Sequence, residues 1–232
     1  MSHTISRRSL LKGAGAIGGG IALASFAQVL GVHAAATNDD PQTILNLAAT
    51  AETLAVTFYY NVIVNRSFEL DEEDEEYLRF ALGAEQYHLD FLMSQGGKTL
   101  TSSFYVPSNL LSNQAVFVQT GANAETAFIG AYLAATRIFG DAGLGKLAAT
   151  TAQHACSEAE HLTLTREIGG LTPNNLALPL PIYYNVSDAV PTLAPFLRGG
   201  AGFIGPVNYP TRNQINRARL TSDFTRVYVM AY

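Results

Sequence analysis

A glutamate falls on the apolar stripe of each of four helical stretches, and any fold of this chain must accommodate that pattern. Stepping by three and four residues, the first stripe reads Leu45, Ala48, Glu52, Ala55, Tyr59 and the second Leu78, Ala81, Glu85, His88, Leu92. The third reads Gly121, Glu125, Phe128, Tyr132, Ala135, and the fourth Leu147, Thr151, His154, Glu158, His161, Thr165. Isolated ionised carboxylates in a core cost several kcal/mol or become neutral. Four of them meeting at one level need compensation, which metal cations would supply.

Two of the stripes place a histidine three residues after the glutamate, in Glu85-Gln86-Tyr87-His88 and Glu158-Ala159-Glu160-His161. Three residues turn a helix by about 300°, so both side chains project from one face and can bind one ion. The elements also repeat: Glu52 to Glu85 and Glu125 to Glu158 are both 33 residues apart. Two helix hairpins of common layout, facing each other across a pseudo-twofold axis, would give this spacing. A buried Glu–His cluster held by hydrogen bonds without metal is the alternative reading.

Helix punctuation agrees. The first helix is expected from Pro41, with Asp39 and Asp40 beside its N-terminus, to about Val64. The second opens with the acidic run 71–76, whose carboxylates suit a helix start and are otherwise solvated, and stops at Gly96-Gly97. A connection of roughly 20 residues, long enough to cross a bundle, precedes a third helix from Ala115 or Asn123 to Phe139. The fourth is expected over Leu144–Ile168, ending at Gly169-Gly170. Residues 171–232 differ: they hold seven of the nine prolines, have poor periodicity, and hint at a helix only over Ser187–Leu197. Their aromatic and apolar content predicts a loop-rich extension packed on the helices.

One Glu from each of two helices with Glu-x-x-His from each of two others is the ligand pattern of di-iron and di-manganese carboxylate bundles. The stretches Ile44–Ile63, Leu78–Gly97, Asn123–Phe139 and Ala148–Gly170 resemble the bacterial ferritin-like domain family related to desiccation-associated proteins. The resemblance covers roughly residues 40–170, and more weakly Ser187–Gly200. It implies an all-α, ferritin-like antiparallel four-helix bundle with a long crossover and an irregular C-terminal tail. It also implies Glu52, Glu85, His88, Glu125, Glu158 and His161 as ligands of two iron or manganese ions, with Glu85 and Glu158 bridging both.

His154 lies one turn before Glu158 and reads either as a group donating to a ligand carboxylate or as a satisfied core histidine. Tyr59, two turns beyond Glu52, and Tyr132, two turns beyond Glu125, could bond to ligands or relay electrons, or simply fill the core. Tyr87 lies inside the second motif and is open to the same readings. Cys156, the only cysteine, points off the stripe and excludes an intramolecular disulfide or a thiolate cluster.

The N-terminus reads as an address. Ser-Arg-Arg-Ser-Leu-Leu-Lys over residues 6–12 precedes a Gly-rich apolar run, Gly13–Val32, and small residues at Ala34–Ala36. This layout is that of a secretory signal, and the paired arginines resemble the twin-arginine type, giving a leader over 1–36. Six glycines in the run argue against a membrane anchor. Later apolar helices are interrupted by polar residues, so no stable membrane insertion is expected once the leader is removed. Residues 1–38 hold three basic residues and no acid, leaving 11 basic against 19 acidic in the remainder, a net charge of −8. So acidic a body repels phosphate backbones, which excludes nucleic acid as a partner.

Hard carboxylate ligands with one imidazole per metal favour iron or manganese over zinc or copper. The expected function is therefore an exported, periplasmic or extracellular protein doing redox chemistry with dioxygen or peroxide. Ferroxidase-like oxidation, peroxide consumption and oxidation of an organic substrate all remain open. The competing reading is a non-catalytic stress or desiccation-related envelope protein with a vestigial or structural site. Cage-type iron storage is disfavoured, because the tail should obstruct shell packing.

Overall fold

Pro41 and Asp40 start the first helix as the sequence suggests: Asp40 accepts from the Thr43 amide at 3.0 Å, and the proline occupies the first turn, where no amide is needed. The computed structural model describes residues 38–172 and 179–222, so the leader read over 1–36 lies outside the described residues. Helix α1 spans Pro41–Asn65, α2 Glu72–Ser94, α3 Gln114–Asp141 and α4 Gly145–Ile168. Asp71 caps α2 through the Asp74 amide (2.9 Å), and Asn113 caps α3 through Val116 (3.2 Å). That asparagine settles the start of α3 at the earlier of the two expected positions.

Pairing follows from contacts at the helix ends. Arg66, just past α1, bonds to Glu75 in the first turn of α2, while Gln42 at the start of α1 donates to the Gly96 carbonyl just past α2 (2.9 Å). Helices α1 and α2 therefore run antiparallel. The same holds for α3 and α4, where Gln114 donates to the Ile168 carbonyl (2.9 Å) and the Thr136 and Thr151 hydroxyls meet at 3.0 Å. The two hairpins pack through α1 against α3 and α2 against α4. By length and composition α1 could cross a bilayer, a property the sequence reading denied to any later segment. Its apolar surface is spent inside the protein instead, with 16 of its 25 residues buried.

The chain is mostly helical, but it also carries a small sheet that periodicity did not predict. Strand β1 (Ser103–Pro107), in the crossover between α2 and α3, pairs antiparallel with β2 (Phe203–Asn208), with Phe104 opposite Val207 and Val106 opposite Ile204. The remainder of the C-terminal extension holds a 3-10 turn over Val186–Ala189, helix α5 (Val190–Arg198) and helix α6 (Arg212–Ala218). Pro191 starts α5, and Pro195 sits inside it without ending it. This is more regular structure than the single short helix expected.

The extension is fastened at three places. Asp39 accepts from the Ser187 amide (2.8 Å) and hydroxyl (2.9 Å), and Arg137 of α3 donates to the Tyr184 carbonyl (2.8 Å) while lying over its ring. On α2, the Tyr209 hydroxyl donates to buried Gln86 (2.7 Å), Arg212 grips Asp90 with both guanidinium amines, and Arg79 donates its guanidinium to the Ala218 carbonyl (2.8 Å) while its own carbonyl accepts from the Leu220 amide (2.9 Å). Gly83 allows this approach: a Cβ there would lie 2.3 Å from the Leu220 carbonyl oxygen. Ile215 of α6 is buried in the same apolar cluster as Phe58, Tyr59, Leu78, Leu82 and Phe117.

Candidate metal centre

The six carboxylate and imidazole side chains singled out by their spacing meet at one depth between the four long helices. Glu52 comes from α1, Glu85 and His88 from α2, Glu125 from α3, Glu158 and His161 from α4, and each is at most 5% exposed. Their donor atoms form two overlapping groups, each lying within 4.8 Å. One is Glu52, Glu85, His88 and Glu158; the other is Glu85, Glu125, Glu158 and His161. Glu85 and Glu158 belong to both.

The two shared carboxylates divide their oxygens. His88 Nδ1 lies 3.3 Å from Glu85 Oε2 and 3.2 Å from Glu158 Oε1, whereas His161 Nδ1 lies 2.9 Å from Glu85 Oε1 and 3.0 Å from Glu158 Oε2. Each shared glutamate thus offers one oxygen to each histidine. Glu52 stands on the His88 side, 3.5 Å from its Nδ1, and Glu125 on the His161 side. Only the His161–Glu158 contact is aligned as a hydrogen bond. Glu52 Oε2, both oxygens of Glu85, Glu125 Oε2, Glu158 Oε1 and His88 Nδ1 have no hydrogen-bond partner.

The outer glutamates are held by a reciprocal pair of tyrosines. Tyr132 of α3 donates its hydroxyl to Glu52 of α1, and Tyr59 of α1 donates to Glu125 of α3 at 2.5 Å. Each phenol stands seven residues after the glutamate on its own helix and bonds to the one across, which is the twofold relation implied by the 33-residue spacing. Of the three readings open to these phenols in the sequence, bonding to the carboxylates is the one the hydrogen bonds show. Tyr87 does not join them: the Arg219 guanidinium lies 5.3 Å from its ring centroid, among the tail contacts.

Charge sets the protonation of the cluster when no cation is bound. Burial, then the neighbouring Glu85 charge, pushes Glu52 well above the usual carboxylate range. Burial, then the Glu158 charge, does the same to Glu125. Burial also acts on Glu85, but the positive charge of the facing His161, and then of His88, outweighs it and holds that carboxyl low. Burial opposes charge on His88 and His161, yet the facing carboxylates prevail and raise both. Burial and the adjacent glutamates keep the Tyr59 and Tyr132 phenols protonated, and therefore donating.

His154 is neither of the things its position suggested. It is fully buried, yet among the described residues neither ring nitrogen has a hydrogen-bond partner, so no carboxylate there accepts from it. Its ring stacks on His88 at 4.0 Å between centroids and meets Tyr132 and Phe91 edge-on. Burial and the His88 charge hold its pKa well below that of a free imidazole. Cys156 is exposed, away from the cluster.

Two neighbours escaped the sequence reading. Tyr77 of α2 has a buried, unpartnered hydroxyl and a ring edge-on to His161. Thr165 of α4 likewise has a buried hydroxyl without a partner. Thr165 was on its stripe but reads as a core threonine; Tyr77 lies beside the stripe position occupied by Leu78 and carried no signal. A small apolar void reaches Glu125 between α1 and α3, lined by Leu54, Phe58, Gly121, Phe128 and Phe196 of α5.

Buried carboxylates and imidazoles of this kind could hold metal ions. The donor set fits: four ionised glutamates balance two divalent cations with both histidines neutral, and the unpartnered oxygens are those a cation would need. Comparison with protein-family models, curated proteins and solved structures returned no match for this chain.

Proposed function

We propose that this chain is a ferritin-like four-helix protein whose buried glutamates and histidines hold a carboxylate-bridged pair of iron or manganese ions for redox chemistry with dioxygen or peroxide. The observation that carries the reading is the division of Glu85 and Glu158 oxygens between His88 and His161. A carboxylate that serves two imidazole nitrogens at once is placed to bridge the two ions beside them. Glu52 and Glu125 then act as the terminal ligands, one on each side.

Bound there, two such ions supply electron exchange with a small oxidant. The chain's own part is to fix the ligands and keep bulk water away. Tyr132 and Tyr59 hold the outer carboxylates by one oxygen each and leave the other free. Burial of all six ligands excludes solvent. The void beside Glu125 is one place from which a small molecule could approach the cluster. Export by the twin-arginine route belongs to the same proposal, since that route carries folded, cofactor-loaded proteins.

Elemental analysis of the native protein tests the reading. About two Fe or Mn per chain are expected, with near-ultraviolet absorbance for an oxidised iron pair. Replacing Glu85 and Glu158 by Gln should remove the metal while circular dichroism keeps its helical signal. Native protein free of metal, with no response to peroxide, would turn the assignment to the non-catalytic envelope protein.

A further inference from the structure

We propose that His154 is a seventh ligand that binds directly to the metal on the Glu52–His88 side, making the two positions chemically unequal. The inference rests on the metal-pair reading and adds to it a ligand that breaks its symmetry.

The twofold pattern holds for the six converging glutamates and histidines and for the two tyrosines that bond to the outer glutamates. Glu52 matches Glu125, Tyr59 matches Tyr132, Glu85 matches Glu158, and His88 matches His161. It fails four residues before the Glu-x-x-His motifs, where α4 has His154 and α2 has Ala81, both buried. An imidazole is thus present on one side of the pair and a methyl group on the other.

His154 has the features of a ligand and lacks those of a packing residue. A fully buried imidazole ordinarily pairs both ring nitrogens, because an unpartnered polar atom loses its bonds to water and gains none in return. His154 pairs neither. One of its nitrogens lies within 4.8 Å of donor atoms of both Glu52 and His88. Metal–donor bonds of about 2.0–2.2 Å place two ligands of one ion up to about 4.4 Å apart, within a small side-chain rotation of that arrangement. The two rings stack face to face at 4.0 Å, so one imidazole turns out of the stack for both in-plane lone pairs to meet one ion. Donors on the His88 side become three glutamates and two imidazoles; the His161 side keeps three glutamates and one imidazole. The nitrogen-richer position should bind later first-row divalent ions more tightly than its neighbour.

Cobalt(II) titration of the metal-free full chain tests this. The wild type should take up two cobalt ions per chain in two resolvable steps. His154→Phe, which keeps an aromatic ring against His88, should still bind two, with one step weakened about tenfold or more and its visible ligand-field bands altered. Two cobalt ions bound with unchanged affinity and spectrum would overturn His154 as a ligand and leave the metal pair standing. No stoichiometric cobalt binding by the folded wild type would overturn the metal pair and this inference together. Proton NMR of the cobalt-loaded wild type decides independently of how the variant folds. Each coordinated imidazole contributes one strongly shifted, exchangeable ring N–H: three such signals support the assignment, and two overturn it.

Discussion

Tyr132 on α3 donates its hydroxyl to Glu52 on α1, across the interface between the two helix hairpins. The bond uses Oε1, the oxygen that also lies 3.5 Å from His88 Nδ1, and leaves Oε2 without a hydrogen-bond partner among the described residues. Tyr132→Phe should destabilise the metal-free protein by about 1–3 kcal/mol, the cost of a buried acceptor left alone. Tyr59→Phe should do the same through Glu125. The two effects should be close to additive, because each phenol serves a different carboxylate. Chemical denaturation of the single and double variants checks this.

Removing a buried charge should help the empty protein and harm the loaded one. Glu52→Gln or Glu125→Gln takes out a carboxylate whose ionisation is opposed first by burial and then by neighbouring carboxylates. Without metal, each variant should melt at or above the wild-type temperature. With iron(II) or manganese(II) added without oxygen, the wild type should gain about 2.7 kcal/mol at a hundredfold excess over its dissociation constant, and the variants far less. A chelator should reverse the wild-type gain.

Glu75 links the start of α2 to Arg66 and Arg79, and hydrogen bonds from those two guanidiniums hold its carboxyl below the usual carboxylate range. A carboxyl depressed in the folded state stabilises above its unfolded pKa, about 4.3, and loses that contribution as pH falls through the folded value. The group is partly exposed, so the effect is screened and worth at most about 1 kcal/mol. Glu75→Gln should therefore lower the melting temperature slightly at pH 7, with the difference from wild type shrinking toward strong acid.

Gly83→Ala should dislodge the end of the extension. The added methyl carbon would meet the Leu220 carbonyl oxygen, a backbone atom that cannot swing aside. The Leu220–Arg79 backbone bond should be lost with it, and overpacking of this kind costs about 1–3 kcal/mol. Limited proteolysis should cut the variant after α6 faster than the wild type while the four long helices resist.

The four helices and the six converging glutamates and histidines were legible because a period of 3.6 residues, marked by caps such as Asp40 and Asp71, writes burial directly into sequence. The sheet was not. Strand β1 has five residues, and its partner lies about a hundred positions away, so no local pattern announces the pairing. Helix α6 has seven residues and takes its place from Ile215 and from bonds to α2 rather than from its own periodicity. His154 was visible as a residue on the stripe but not as an unpartnered one, since its lack of partners depends on what three other helices bring near it.

Gln86 and Asp90 stand on the outer side of the helix whose inner side carries Glu85 and His88, and both are gripped by residues beyond position 208. During synthesis those gripping residues emerge after all four ligand-bearing helices. A nascent chain therefore contains every proposed ligand before the helix that holds two of them has its external brace. A molecule cut short after α5 would carry all six of these glutamates and histidines on an α2 that lacks its bonds to Tyr209 and Arg212.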